Sequence, residues 1–281
     1  MKSVLLLTAL FVCVFAAPEK YIVGETAEIV EDKDFINYSY TVSVQWTNGN
    51  DEKYYHICGG AVIGKKHVLT AKHCCKDFVT DNLVVMAGTN DITVNDDTND
   101  HLYKIIQILK EENVFPKAPL KDDLCVLELQ KEIENDKNIR SIELCYDGIT
   151  EDTGNLILSG WGVTDSSNEM SYTNLKVDRN LKILPRKIED LSDDKTCDGR
   201  LNNMGIERKL EKENICTENK NGVTACKGDS GGPLVSNGKL IGIVTWGIVP
   251  CGVSIVPTIY TGIKDYKTYL EKYTKNPVTS K

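Results

Sequence analysis

The sequence predicts an all-β chain, and three observations carry that prediction. Short apolar runs recur between turn-forming clusters: Ala61 to Ile63, Val68 to Leu69, Leu83 to Met86, Ile105 to Leu109 and Leu124 to Leu129. Runs this short and this closely spaced describe a barrel of strands rather than βαβ units. A charged stretch without strand pattern, Lys131 to Asn138, then interrupts the series, and a second set of runs begins near Ile142. The stretch reads as a linker between two barrels. Helical spacing of apolar side chains marks the end of the chain, at Tyr266, Tyr269, Leu270 and Tyr273.

Taken in order, the chain opens with a leader. Lys2 is its charged start, Val4 to Phe15 its apolar core, and Ala16 and Ala17 are small residues suited to cleavage. That run is too short to span a bilayer comfortably, and no later stretch is long and apolar enough. A secreted, extracellular protein is expected, with no membrane partner. Asn37-Tyr38-Ser39 is an N-glycosylation sequon that this route would expose. Tyr40 to Trp46 alternates and reads as a half-buried strand. Asn90 to Asp100 is acidic and turn-rich but lacks the regular oxygen spacing of a calcium loop, so it reads as a solvated loop and no metal is assigned. In the second half, Leu156 to Leu158, Leu181 to Leu184, Leu234 to Val235 and Leu240 to Trp246 supply strands. Lys264 to Tyr273 is expected to form a C-terminal helix packed on the first barrel.

Composition bounds the rest. The 281 residues are 41% hydrophobic, enough for a sizeable core, and the net charge of −8 argues against a nucleic-acid partner. Of ten cysteines, Cys13 leaves with the leader, and nine remain for an oxidising compartment.

The chemistry concentrates in Cys226-Lys227-Gly228-Asp229-Ser230-Gly231-Gly232-Pro233. A serine between glycines sits on a sharp turn that substrate can approach closely. The amides of Gly228 and Ser230 could point at one spot and stabilise an oxyanion there. A serine needs a base to act as a nucleophile. Of four histidines, His73 stands in a telling context: Val68-Leu69-Thr70-Ala71-Lys72 runs into His73-Cys74, with Cys58-Gly59-Gly60 upstream. Asp123 is the third candidate, where the strand Leu124-Cys125-Val126-Leu127 begins.

With these segments in that order, the chain closely resembles the chymotrypsin/trypsin family of serine endopeptidases, over roughly Ile22 to Tyr273. The order His, Asp, Ser separates it from subtilisins and α/β-hydrolases. The resemblance implies two six-stranded antiparallel Greek-key barrels with the active site between them. It implies a catalytic triad of His73, Asp123 and Ser230 acting through an acyl-enzyme. It divides the chain into a signal peptide (1–17), a short activation propeptide (18–21) and a peptidase domain (22–281). Within that domain the N-terminal barrel covers about 22–135, the C-terminal barrel about 136–263 and the helix about 264–273.

The same resemblance makes the chain a zymogen. A cut before Ile22 would free an α-amine to pair with Asp229. A cut after Tyr21 fits this better than a tryptic cut after Lys20, and Glu25 replaces the family's second glycine. Cys58 is expected to pair with Cys74, Cys197 with Cys216, and Cys226 with Cys251. One further family bridge is missing from both ends, where Leu156 and Ser236 stand. Cys75 and Cys125 each lie two residues from a triad member and are expected to pair, leaving Cys145 odd.

The primary pocket is expected to involve Thr224 at its base, Gly247 after Trp246 on one wall and Thr258 on the other, with Thr245 standing where the family has a serine beside the catalytic aspartate, here Asp123. A neutral Thr224 disfavours cleavage after Lys or Arg. Gly247 leaves the mouth open, as in chymotrypsins, while Thr258 shortens the pocket, as in elastases. Small to medium apolar residues before the cut are expected, with Tyr or Phe as the runner-up. Protein or peptide substrates, protein inhibitors and a monomeric chain follow from the family, and no cofactor is implied. The alternative is a catalytically inactive homologue that uses the fold to bind partners, and a non-peptidase esterase is a third reading. Retention of all three triad residues favours the enzyme.

Overall fold

The structure is a computed structural model that describes residues 28–49, 53–93, 100–109, 123–134, 138–147, 149, 153–163, 175–179, 181–185, 193–206, 210–219, 224–247, 257–275 and 277–278. The leader, the propeptide, Ile22, Cys251 and most of the acidic loop lie outside these residues.

Six strands close the first barrel. They are β2 (Thr41–Trp46), β3 (Tyr55–Gly64), β4 (His67–Thr70), β5 (Leu83–Met86), β6 (Leu102–Leu109) and β7 (Cys125–Leu129), joined in the order β2-β3-β4-β7-β6-β5. The β4–β7 pairing, with Thr70 opposite Cys125, brings together the ends of the strands that lead to His73 and away from Asp123. Strand β2 is not half-buried as its alternation predicts. Its polar positions Thr41, Ser43 and Gln45 are as buried as Val42 and Val44, and their side chains are met by Ser159 of the second half, by His56 of β3 and by Met86 of β5 respectively. Thr41 Oγ1 meets Ser159 Oγ at 2.7 Å across the seam between the halves.

The second half is an open sheet of nine strands. It comprises β1 (Glu28–Ile29), β8 (Glu143–Leu144), β9 (Leu156–Gly160), β10 (Lys176–Asp178), β11 (Leu181–Ile183), β12 (Asn214–Asn219), β13 (Pro233–Ser236), β14 (Lys239–Trp246) and β15 (Thr258–Gly262). Its path runs β1-β10-β9-β13-β14-β15-β12-β11, with β8 alongside β14 in parallel. Among the described residues it remains a half-barrel. Asn237 and Gly238 both take positive φ (49° and 78°) in the β13–β14 hairpin, the geometry that a tight Asn-Gly turn favours.

Among the described residues two short α-helices complete the fold. The segment α1 (Cys197–Asn203) was not anticipated as helical, although Thr196 caps it by accepting from Gly199 N–H at 3.1 Å. The C-terminal helix is shorter than its spacing suggests: a 3-10 turn, Lys264–Tyr266, leads into α2 (Lys267–Leu270). It packs on the first barrel, where Tyr269 donates its hydroxyl to Leu109 O at 2.8 Å and Tyr273 stacks against His67.

Candidate active site

Strand β4 delivers His73 into a 3-10 turn, Lys72–Cys74. Asp123 accepts twice from this one residue, from His73 N–H at 2.9 Å and from His73 Nδ1 at 2.8 Å. A carboxylate can only accept, so the ring proton resides on Nδ1 and Nε2 keeps its lone pair. The Asp123 side chain is 6% exposed and the His73 side chain 37%, so the orienting acid is buried while the base faces solvent. The bridge Cys58–Cys74 braces the histidine segment, and Cys75–Cys125 ties it to the strand that follows Asp123. Cys58, His73 and Cys74 cluster closely, but the two cysteines are bonded to each other and offer no thiolate to a metal.

The serine comes from the other half. Its turn is folded by Asp229 N–H to Cys226 O and Gly232 N–H to Asp229 O, at 3.0 and 2.9 Å. Gly59 of β3 donates to Ser230 O at 2.7 Å, docking the turn on the first barrel. Gly231 makes that approach possible: its φ is +78°, and a Cβ there would fall on Thr70 Oγ1 and the carbonyl of Gly59. Ser230 is half-buried, and among the described residues no hydrogen bond joins it to His73. Such a bond is often loose before substrate binds.

Of the two amides expected to bind an oxyanion, that of Gly228 is oriented by peptide planarity. Lys227 O accepts from Val163 N–H at 2.9 Å, and in a planar trans peptide the N–H of Gly228 must then point the opposite way. Gly228 holds φ +94°, which suits glycine alone. Among the described residues neither Gly228 N–H nor Ser230 N–H is engaged.

Two buried titratable groups back this turn, and sequence reasoning found one of them. Asp229 accepts from Gly162 N–H and Cys226 N–H, both at 2.9 Å. Burial nevertheless pushes its carboxyl up to about 6, against the pull of these amides and of Lys176. His56 was passed over, though it lies two residues before Cys58-Gly59-Gly60. Burial drives its imidazole down to about 4, so it is neutral. Its Nε2 donates to Gly228 O at 3.0 Å, and its Nδ1 accepts from Ser43 at 2.7 Å.

The pocket residues converge in part. Thr224 and Thr258 are buried, and Thr258 Oγ1 accepts from Ala225 N–H at 3.1 Å. Gly247 faces Ala225, whose carbonyl would lie 3.0 Å from a Cβ at that position. Among the described residues no hydrogen bond joins Thr245 to Asp123. It sits at the register shift between β14 and β15, and its hydroxyl bonds Thr261 Oγ1 at 2.6 Å instead. Cys197 and Cys216 are joined, and Cys226 is disulfide-bonded; Cys251 lies outside the described residues. Cys145 carries no bridge.

A closed barrel abutting an open sheet, with a His–Asp pair and a serine turn meeting at the seam, is the architecture of a serine endopeptidase. Comparison with known proteins agrees. The trypsin family model matches residues 30–270. Human kallikrein-8 is 31% identical over 220 residues, 77% of this chain and 76% of that protein. Chymotrypsin-2 of Vespa crabro is 30% identical over 217 residues, 77% of this chain and 88% of that one. The structure of neuropsin, a serine protease expressed in the limbic system of mouse brain, superposes with a TM-score of 0.67 at 26% identity, covering 89% of this chain and 99% of that one. The chain belongs to the trypsin family, and it is a serine endopeptidase acting on protein or peptide substrates.

Proposed function

We propose that this protein is a secreted zymogen whose mature form cuts peptide bonds with Ser230, His73 and Asp123. The observation that carries the reading is the pair of unengaged amides, Gly228 and Ser230, beside a serine docked against the barrel that holds the His–Asp pair. Ser230 Oγ attacks the scissile carbonyl as His73 Nε2 takes its proton. Both amides bind the resulting oxyanion, where one such donor lowers the barrier by about 3 kcal/mol. The C–N bond breaks as His73 returns the proton to the leaving amine, and water then releases the acyl group by the same route. Asp123 holds the imidazole in the needed tautomer and stabilises the imidazolium.

The rest of the reading follows from neighbouring groups. A buried carboxyl held at about 6 favours a cation beside it, which suits Asp229 to the α-amine released before Ile22. Neutral Thr224 and a Thr258 with its hydroxyl spent on Ala225 favour small to medium apolar residues before the cut. The leader 1–17 directs secretion, 18–21 is the propeptide, and Asn37 is exposed for glycosylation. The mature domain works as a monomer and is open to protein inhibitors.

The test is Ser230→Ala, compared with wild type on a diverse peptide pool read by mass spectrometry. Both chains are first shown to begin at Ile22. Turnover should fall by roughly 10⁴-fold or more while folding is kept. Retained turnover sinks the triad, and cuts after Lys or Arg sink the pocket reading.

A further inference from the structure

Asn90 stands at the start of a loop that reads as solvated, yet it is 5% exposed. Its Nδ2 donates to Val30 O at 2.6 Å and lies 3.3 Å from Asp32 Oδ1. Its Oδ1 accepts from Leu175 N–H at 2.7 Å, and its own carbonyl accepts from Trp161 Nε1 at 2.9 Å. One side chain therefore both donates and accepts between buried backbone groups of two other segments. Asparagine can do this, whereas an ionised aspartate cannot donate and alanine can do neither.

The segments it joins are the ones around the serine turn. Val30 follows β1 and Leu175 precedes β10, and the two also bond to each other at 2.9 Å. Trp161 is fully buried between Gly160 and Gly162, the two glycines that close on the Asp229 carboxylate. The indole lies edge-on to the His56 ring, with centroids 6.2 Å apart, and His56 holds Gly228 O. A contiguous chain of packed and hydrogen-bonded groups thus runs from the first barrel's loop to Asp229 on one branch and Gly228 on the other.

We infer that Asn90 is a positioning residue that fastens the first barrel to the walls of the Asp229 pocket. Through Trp161 and His56 it keeps the oxyanion amides in register with His73. It also seats the strand β1, down which the new N-terminus must reach Asp229. The inference rests on the reading of Asp229 as the partner of the Ile22 α-amine.

The experiment uses chains cut to a proven Ile22 terminus: wild type, Asn90→Ala, Trp161→Phe and Asp229→Asn. Two quantities are measured, kcat and KM on a peptide substrate, and the rate at which cyanate modifies the Ile22 α-amine, read on the N-terminal peptide. For Asn90→Ala, kcat should fall about tenfold with KM little changed, and the α-amine should react faster. Trp161→Phe keeps the buried ring and removes the indole donor, so it should move both readouts the same way by less. An Asn90→Ala chain that merely melts earlier, with wild-type kcat and amine protection, overturns the inference. If Asn90→Ala does not fold, wild-type values for Trp161→Phe overturn it instead. A wild-type α-amine as reactive as in the unfolded chain, with full kcat in Asp229→Asn, would show that the activation reading itself has failed and would take the inference down with it.

Discussion

The two halves of the molecule bring their catalytic groups to the seam by different means. The first barrel is closed by pairing alone, and His73 and Asp123 lie just beyond the paired ends of β4 and β7. Two disulfides lock the same corner. The second half is an open sheet whose contribution is a turn, and that turn hangs on buried polar groups: the Asp229 carboxyl, the neutral His56 ring and a glycine at φ +94°. On the proposed function, the His–Asp pair is built into the closed barrel, while the serine turn and its amides depend on how a buried carboxyl is satisfied. Such a division would suit a zymogen, in which one half is complete while the other waits for activation.

Outside the triad, the largest effect on turnover should come from forcing the halves apart where the serine turn meets the first barrel. Gly231→Ala places a methyl group on Thr70 Oγ1 and against Gly59 O while keeping φ near +78°. We expect a loss of about 3 kcal/mol or more in unfolding free energy, with activity falling at least tenfold. Gly49→Ala is the control. Its φ is +75° but nothing lies within 4 Å, so about 1 kcal/mol is expected and no change in kcat. Equal effects on denaturant midpoints and on turnover would mean the seam is softer than the contacts say.

Next come the cross-links. Cys75–Cys125 closes a loop of 50 residues and Cys197–Cys216 one of 19. Loop-closure entropy then assigns about 4 kcal/mol to the first and about 3 to the second. Double Cys→Ala variants of each pair, compared by urea unfolding, test that order. The first variant should also lower kcat, since it loosens the corner that holds His73 and Asp123. If kcat is untouched, strand pairing alone positions the base.

What the sequence revealed follows the same division. His73, Asp123 and Ser230 could be nominated from the sequence because each lies in a contiguous segment with a telling local pattern. The strands of the first barrel were legible because each is a short apolar run bounded by turn-forming residues. The burial of Thr41, Ser43 and Gln45, the role of His56 and the node at Asn90 were not. Thr41, His56 and Asn90 depend on partners from distant segments, Ser159, Gly228 and Leu175, while Ser43 and Gln45 find polar or sulfur partners on neighbouring strands of their own barrel, which a strand pattern does not disclose. The short α1 was missed because the expectation there was a disulfide-braced loop, although Thr196 offered its cap. Thr245 was placed beside Asp123 by its position in the chain, and a register shift in β14 turned its hydroxyl to Thr261.

Smaller in size is the pH dependence that the conditional half should show. The Asp229 carboxyl is raised from 3.8 to about 6, so its folded form prefers the proton. Stability present below pH 3.8 is lost as pH rises through about 6, by up to about 3 kcal/mol. His56 moves the other way: its folded value is about 4 against 6.5, so stability present above pH 6.5 is lost as pH falls towards 4. Comparing the full chain with the chain cut before Ile22 cancels the His56 contribution. The remaining difference in Tm should grow as pH rises from about 4 to about 6, because on the proposed reading only the cut chain adds an α-amine to the cationic influence of Lys176 on Asp229. A difference that is flat in pH would show that the α-amine does not reach Asp229.

The smallest effect concerns choice of substrate, and it belongs to the open sheet alone. Thr258→Gly removes a side chain from the pocket and should raise the ratio of kcat/KM for Phe or Tyr over Ala before the cut by roughly tenfold or more. The same change strips Ala225 N–H of its acceptor, which would cost about 1 kcal/mol of stability and could disturb the wall by itself. Thr258→Ser separates the two, because it keeps the hydroxyl on Ala225 and deletes only the methyl group. A gain shared by both variants assigns the selectivity to the methyl, and a gain in glycine alone assigns it to the loosened wall. In either case the pH profile of kcat should keep its shape, since His73 and Asp123 sit in the barrel that the substitution does not touch. A profile that moved would mean the two halves are coupled through the pocket as well as through the seam.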